Sequence, residues 1–496
     1  MRRLTAIVLA LVLSFSSIAA QDTKTKGQSP KTKDRFSLVF THVNVIDVRG
    51  GPVQPDMTVV ISGNSITALG KTKSVRLPKG AQVVDATGKF LIPGLWDMHV
   101  HALYPGRPEF FFPLMIANGV TGVREMASAF SFAEINRIRN EIKTGKTLGP
   151  RFGAVPGKIL EGPGIPGFSS PEFVIVSSAQ QARETVRSYK QQGADFIKVY
   201  NLLPRDVYIA IADEAKRQRI PFAGHVPNAL SAAEASDLGQ RSMEHAIGLS
   251  FACSRNEAEL RKEFDELIAS KNPATAARVQ LEIKALDSYD EQKATALFAR
   301  FVRNDTWQCP TATVGAAAVQ PEDALTNDPR LKYIPRAVRE RWRDLFKQRF
   351  GVSPGALAQL QTRFQRRLEI VGAMQRAGVG ILAGTDAGFG NPYTYPGFSL
   401  HEELSLLVNA GLTPIQALQA ATINAARHLK LEKTLGTVER GKLADLVLLN
   451  ANPLDDITNT GRIAAVVVNG HYLSEAELKK MLADVEAAAA LPPPVR

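Results

Sequence analysis

Between residues 36 and 90 apolar and polar positions alternate in short β-branched runs, LVFTHVNVIDV, MTVVISGNSITALG and AQVVDATGKF, each broken by Gly, Asn or Asp. A period of two between closely spaced turn residues predicts a small β-domain. The same texture returns after residue 430, in LGTVERGKLADLVLLNANP and AAVVVNGHYL. The segments 36–90 and 430–475 are therefore expected to form one β-sandwich from both ends of the chain. Residues 476–496 read as a C-terminal helix and tail.

From 91 to 429 the pattern changes. Apolar runs at 91–101, 120–126, 151–160, 195–200, 221–226, 242–247, 306–311 and 380–385 read as strands. Stretches of helical period lie between them, among them 179–192, 204–219 and 230–238, each closing near a Gly or another helix-ending signal. Eight strands alternating with helices predict an α/β fold of the (β/α)8 TIM-barrel type. Two charged helical stretches, 254–300 and 314–366, interrupt it after the sixth and seventh strands. They are expected to serve packing, a homo-oligomer contact, or a lid over the barrel mouth.

With 496 residues, 45% of them hydrophobic, the chain can bury a large core. The formal charge of +12 arises from 60 basic residues interspersed with 48 acidic ones. No basic stripe or nucleic-acid motif accompanies it, so a nucleic-acid partner is not expected. Arg2 and Arg3, an apolar run over 4–13 and small residues over 14–20 have the form of a secretory signal with cleavage after Ala20. This predicts a periplasmic or secreted protein whose residues 21–35 are a disordered leader. No other apolar stretch reaches the ~20 residues of a spanning helix, so no transmembrane segment is expected in the mature chain. The two cysteines, Cys253 and Cys309, are too few for a disulfide scaffold. As neighbours after the sixth strand and within the seventh they could still pair in an oxidising compartment.

The chemistry lies at the downstream ends of the predicted strands: GLWDMHVH (His99, His101), DFIKVY (Lys198), AGHVP (His225), SMEHAIG (His245) and ILAGTDAG (Asp386). A parallel barrel gathers its functional side chains at this edge. Residues i and i+2 of a strand face the same way, so His99 and His101 both address the mouth, and imidazole is a common metal ligand. One buried histidine is more often structural, but four with an aspartate on one strand edge favour a metal. Lys198 is costly to bury as an ammonium ion. As a carbamate formed with carbon dioxide it would be an anion able to bridge two cations; the alternative is a lysine paired with a neighbouring carboxylate. Tyr200, two residues on, could orient a substrate carbonyl, Arg124 could hold a substrate carboxylate, and His401 could touch substrate. EGPGIPG (161–167) reads as a wall of the site. His42, His428 and His471 fall off the edge and take no role.

Together with GVTGVREM, SLHEELSLLVNAGLTPIQALQAAT and GKLADLVLLNANP, these motifs make the chain resemble the amidohydrolase superfamily from about residue 38 to 475. The nearest flavour is the imidazolonepropionase-like group, which includes prolidase-like metal-dependent dipeptidases. The resemblance implies a first metal on His99, His101 and Asp386, a second on His225 and His245, and carboxylated Lys198 bridging both. Imidazolonepropionases themselves use one metal and lack this lysine. Two divalent ions, zinc the expected one, would lower the pKa of a bridging water and yield a hydroxide nucleophile, with Asp386 as proton shuttle. The expected reaction is hydrolysis of an amide in a small molecule, a dipeptide or an N-acyl amino acid. A cyclic amide or lactone is the alternative substrate, and an inactive metal-binding barrel the alternative from another class.

Overall fold

The computed structural model describes residues 37–164, 171–270, 275–350, 354–388 and 390–491. The expected signal and leader lie outside them, as do 165–167 of the EGPGIPG segment. Both β-rich ends meet in one eight-stranded sheet. Its order is His471–Ser474, Ile463–Val468, Leu446–Leu449, Phe90–Pro93, Ser37–Val45, Gln54–Ser62 and Ser65–Lys71, with Gln82–Asp85 also pairing Ser37–Val45. The seam between the ends is antiparallel, Leu446 opposite Pro93 through Leu449 opposite Phe90. A two-sheet sandwich was expected; hydrogen bonding instead joins these strands into one sheet. Ser37–Val45 acts as the branch point, because its first half pairs Gln82–Asp85 and its second half pairs Phe90–Pro93. Leu38 and Phe40, and Val43 and Val45 beyond a break in register, pack with Leu446, Leu448 and Val467 into a separate apolar core.

The predicted strand 91–101 divides at Gly94. Its first part belongs to this sheet, and Leu95–Val100 opens a parallel sheet with Val120–Glu125 and Arg151–Ala154. A second parallel sheet runs Phe173–Ile175, Ile159–Glu161, Ile197–Val199, Phe222–Gly224, Ser242–Glu244 and Trp307–Cys309. Isolated parallel bridges join Pro156 to Phe196, Gln308 to Ile381, and Val100 to Ala387. The predicted eighth strand, 380–385, forms no ladder. It runs between the first and seventh strands through Leu382 N–H to Gln308 O (2.8 Å) and Met98 N–H to Ala383 O (2.8 Å). The left-handed Asp386 (φ +58°) then turns the chain out of register.

Helices cover these strands because their apolar positions recur on one face. In Ala179–Gln192 the buried residues are Ala182, Val186 and Tyr189; Ser178 caps the start and left-handed Gly193 the end. The 254–300 stretch contains helices Glu257–Ala269, Thr275–Asp287 and Glu291–Asn304. The 314–366 stretch contains Glu322–Thr326, Arg336–Phe350 and the first half of Pro354–Arg376. The chain ends on helix Glu475–Ala490, started by a Ser474–Glu477 capping box. No helix among the described residues is long and apolar enough to cross a membrane.

Candidate metal centre

Side chains from five strand ends converge at one edge of the parallel sheets. His101 Nε2 lies 2.9 Å and His99 Nε2 3.4 Å from Asp386 Oδ1, and His245 Nδ1 lies 3.8 Å from Asp386 Oδ2. The rings of His99 and His245 are 4.7 Å apart, and those of His225 and His245 4.6 Å. Among the described residues Asp386 Oδ1 is buried with no hydrogen-bond partner of good geometry. An acceptor sitting among imidazole nitrogens without a bonded donor marks a place for a cation.

The imidazoles are oriented from behind. His99 Nδ1 pairs with Glu244 Oε2 (2.8 Å), His225 Nδ1 with Asn201 Oδ1 (2.8 Å) and His245 Nδ1 with Thr311 Oγ1 (2.6 Å). With each Nδ1 occupied, each Nε2 remains as the donor atom, and a partner on the outer nitrogen fixes the tautomer. Burial pushes His99 and His225 far below the usual imidazole range and His245 down to about 4. The rings are therefore neutral, the form that binds a metal. Burial opposes ionisation of Asp386, but the surrounding His99, His245 and His101 hold its carboxyl below the ordinary carboxylate range.

Lys198 is 1% exposed and makes no hydrogen bond or ion pair among the described residues. Its surroundings are tight: a Cβ on Gly224 (φ +138°) would stand 3.1 Å from Lys198 Cδ and 2.1 Å from Val199 O. Burial lowers its amine to about 8, against the pull of Glu244 and Asp386. Gly384 of the GTDAG run serves a similar close approach, since a Cβ there would meet Cys309 Sγ at 2.5 Å and His99 Cβ at 2.9 Å.

Asp97 joins the two ends of the cluster. Its Oδ2 accepts from Thr385 Oγ1 (2.6 Å) and its Oδ1 from the N–H groups of Thr385 (3.0 Å) and His99 (3.2 Å). This holds the His99 strand to the Asp386 segment. Burial raises Asp97 to about 7. Glu244 stays below the normal range despite burial, because Arg124 and then Lys198 stand beside it. Of these supporting groups only Glu244 left a trace in the sequence: it is i+2 from Ser242 on a short strand and directly precedes His245. Asn201, Thr311 and Thr385 had no signal.

Three expectations are corrected. Arg124 is buried and does not face a substrate. It donates to Met98 O (2.6 Å), Ser242 Oγ (2.7 Å) and both oxygens of Glu244 (2.9 Å each), and meets His428 Nε2 at 3.3 Å. His401 binds Thr460 Oγ1 (3.0 Å) and Asn118 O (3.1 Å), one contact per ring nitrogen, which spends it on helix packing. Cys253 and Cys309 are both free and buried, in different apolar clusters, so the bridge is not formed. Tyr200 lies beside the cluster, its ring 4.1 Å from His225 and 5.2 Å from Phe173. His428, given no role, lies in the Arg124 network and against Trp307.

Among the described residues two groupings have metal-like spacing, His99–His245–Asp386 and His99–Glu244–Cys309. The second serves as support for the first. Glu244 is already held by Arg124 and the outer nitrogen of His99, and burial keeps the Cys309 thiol far above its ordinary range, hence protonated.

The family model described as Amidohydrolase family matches residues 363–473, which include Asp386 and the C-terminal part of the eight-stranded sheet. An imidazolonepropionase of Pseudomonas paraeruginosa (strain DSM 24068 / PA7) is 26% identical over 440 residues, covering 82% of this chain and 91% of that protein. Among solved structures, bottromycin amidohydrolase superposes with a TM-score of 0.69 at 24% identity, covering 92% of this chain and 91% of the other. A Xaa-Pro dipeptidase with methionine in its active site gives 0.61 at 20%, covering 88% and 100%. The chain is thus similar to amidohydrolases, over residues 363–473 to the family model and over most of its length to an imidazolonepropionase.

Proposed function

We propose that this chain, a hydrolase of carbon–nitrogen bonds, is a binuclear metal enzyme on a (β/α)8 barrel that cleaves amides of dipeptides or N-acyl amino acids. The observation that carries it is the convergence of the His99, His101 and His245 imidazoles on an ionised Asp386 carboxylate beside a buried Lys198. His99, His101 and Asp386 would hold one ion, His225 and His245 the other, and a carbamate on Lys198 would lie between them. An amine with pKa about 8 is neutral in about a quarter of molecules at pH 7.5, which leaves its lone pair available to carbon dioxide. Such ions supply Lewis acidity toward a carbonyl and lower the pKa of water.

The chain's own groups do the rest. Asp386, kept ionised, takes the proton of the attacking water and delivers it to the leaving amine. His99 is fixed through Glu244 and Arg124, so the cluster does not reorganise as charge develops. Tyr200 and Phe173 form an aromatic side of the mouth against His225. The first 20 residues support export with cleavage after Ala20, which N-terminal sequencing of the mature protein reads directly.

The test combines elemental analysis with mass-spectrometric screening of mixed dipeptides and N-acyl amino acids. Two divalent ions per chain and release of a free amine are expected. A metal-free protein, or one that leaves every dipeptide and N-acyl amino acid intact while opening lactones or cyclic amides, refutes the reading.

A further inference from the structure

Arg367 joins the helical inserts to the candidate metal centre. Arg367, on helix Pro354–Arg376 as it returns from the second insert, donates from Nη2 to the backbone carbonyl of His245. Its Nε lies 3.5 Å from Oε1 of Glu282, on helix Thr275–Asp287 of the first insert. Glu282 is further fixed by Arg363 Nη1 (3.0 Å) and by Ser250 Oγ (3.1 Å). Arg366 adds a bond to Leu286 O at 2.8 Å, so the two inserts are docked to each other at this point.

The carbonyl that Arg367 holds belongs to an unusual stretch of backbone. His245 and Ala246 have φ of +62° and +52°, and Thr311, which pairs with His245 Nδ1, has +46°. Side chains with a Cβ rarely adopt this region and stay there only when the surroundings hold them. A left-handed His245 aims its ring at Asp386 and sends its carbonyl outward, where a charged donor from the insert meets it. If that donor is lost, the peptide after His245 can relax and swing the imidazole off the cluster.

We propose that Arg367, oriented by Glu282, is a positioning residue that couples the Glu282 junction of the two inserts to the geometry of His245, so that metal retention depends on the Arg367–Glu282 contact in particular. This rests on the metal reading given above. It also gives the inserts a role besides packing, oligomer contact or lid.

The test uses the full mature chain loaded with zinc and challenged with increasing chelator, and the cobalt-loaded protein for its visible absorption spectrum. Arg367→Gln should release one ion per chain at about 10-fold lower chelator, the usual weight of a group that orients a ligand from behind, with a changed cobalt spectrum. Arg367→Lys, which keeps the charge but not the fork that spans Glu282 and His245, should fall between, and serves alone if Arg367→Gln does not fold. Glu282→Gln should shift retention in the same direction, and its effect should vanish when Arg367 is already changed. Gln280→Ala removes another contact between the inserts, Gln280 to Gln359 at 3.1 Å, and should change neither readout. Wild-type protein that binds no metal overturns the metal reading and this proposal with it. Wild-type protein holding two ions, with both Arg367 variants matching Gln280→Ala, overturns the coupling alone.

Discussion

Replacing Arg124 with Met separates a buried strut from a substrate anchor. The side chain is buried and bonded to Met98 O, Ser242 Oγ and both oxygens of Glu244. Methionine approximates the bulk of the stem, so the main loss is electrostatic. Removing one partner of a buried ion pair costs ~3–5 kcal/mol, because the other charge stays behind unpaired. The orphaned Met98 carbonyl adds about 1–3 kcal/mol. Glu244 keeps Ser242 Oγ at 2.5 Å and the neighbouring Lys198, which places the net loss at the lower end, about 4 kcal/mol. An unfolding entropy of ~2.1 cal/mol/K per residue over 496 residues comes to about 1 kcal/mol/K, so Tm should fall by about 4 °C. Calorimetry of the metal-free protein at one fixed scan rate measures it. Arg124→Met combined with Glu244→Gln should lose less than the sum of the single changes, because the buried charge is gone. KM for a dipeptide substrate should stay within about twofold, since no interaction with bound substrate is removed. An unchanged Tm with a large rise in KM would overturn this account and restore Arg124 to the substrate.

Asp386→Asn keeps an oxygen of the same shape without its basicity; the protein should retain metal while kcat falls by about 10²–10⁴, and near-normal turnover with both ions present would leave Asp386 as a ligand only. Lys198→Ala should lose at least one ion by elemental analysis together with most activity, and added short carboxylates should restore part of it; two retained ions with wild-type turnover would rule out the carbamate. Alkylation after unfolding without reductant should find two thiols per chain, because Cys253 and Cys309 are free; a mass two hydrogens lower with no alkylation would contradict the structure.

The parts of this fold that could be read from sequence are those where one residue's identity reports its environment. Apolar runs ending in His, Lys or Asp located the strand ends, and the helix over 179–192 announced its end at Gly193. Positions set by long-range pairing were not legible. Nothing local distinguishes Phe90–Pro93 from Leu95–Val100, although Gly94 separates strands of two different sheets. The eighth strand looked regular because Ile381 and Leu382 are apolar, whereas Gly384 and left-handed Asp386 deny it a ladder. Arg124 misled for a related reason: at the end of a strand, an arginine facing substrate and one paired under the floor have the same sequence context. The pairing depended on Glu244, 120 residues away.

The backbone around the cluster explains why it needs so much support. His245, Ala246, Thr311 and Asp386 all have positive φ, and none is glycine. Each such residue costs roughly 1–3 kcal/mol and persists only where its surroundings over-determine it. The holding contacts are Arg367 on the His245 carbonyl, Thr311 on the His245 ring, Asn391 Nδ2 on the Asp386 carbonyl (2.8 Å), and Asp97 on Thr385. A glycine would relax the strain at any of these positions, but at His245 or Asp386 it would remove the imidazole or carboxylate that the turn is there to present. The ligand set and the strain are therefore one requirement: the side chains meet at a point that regular strands, projecting residues alternately up and down, do not reach.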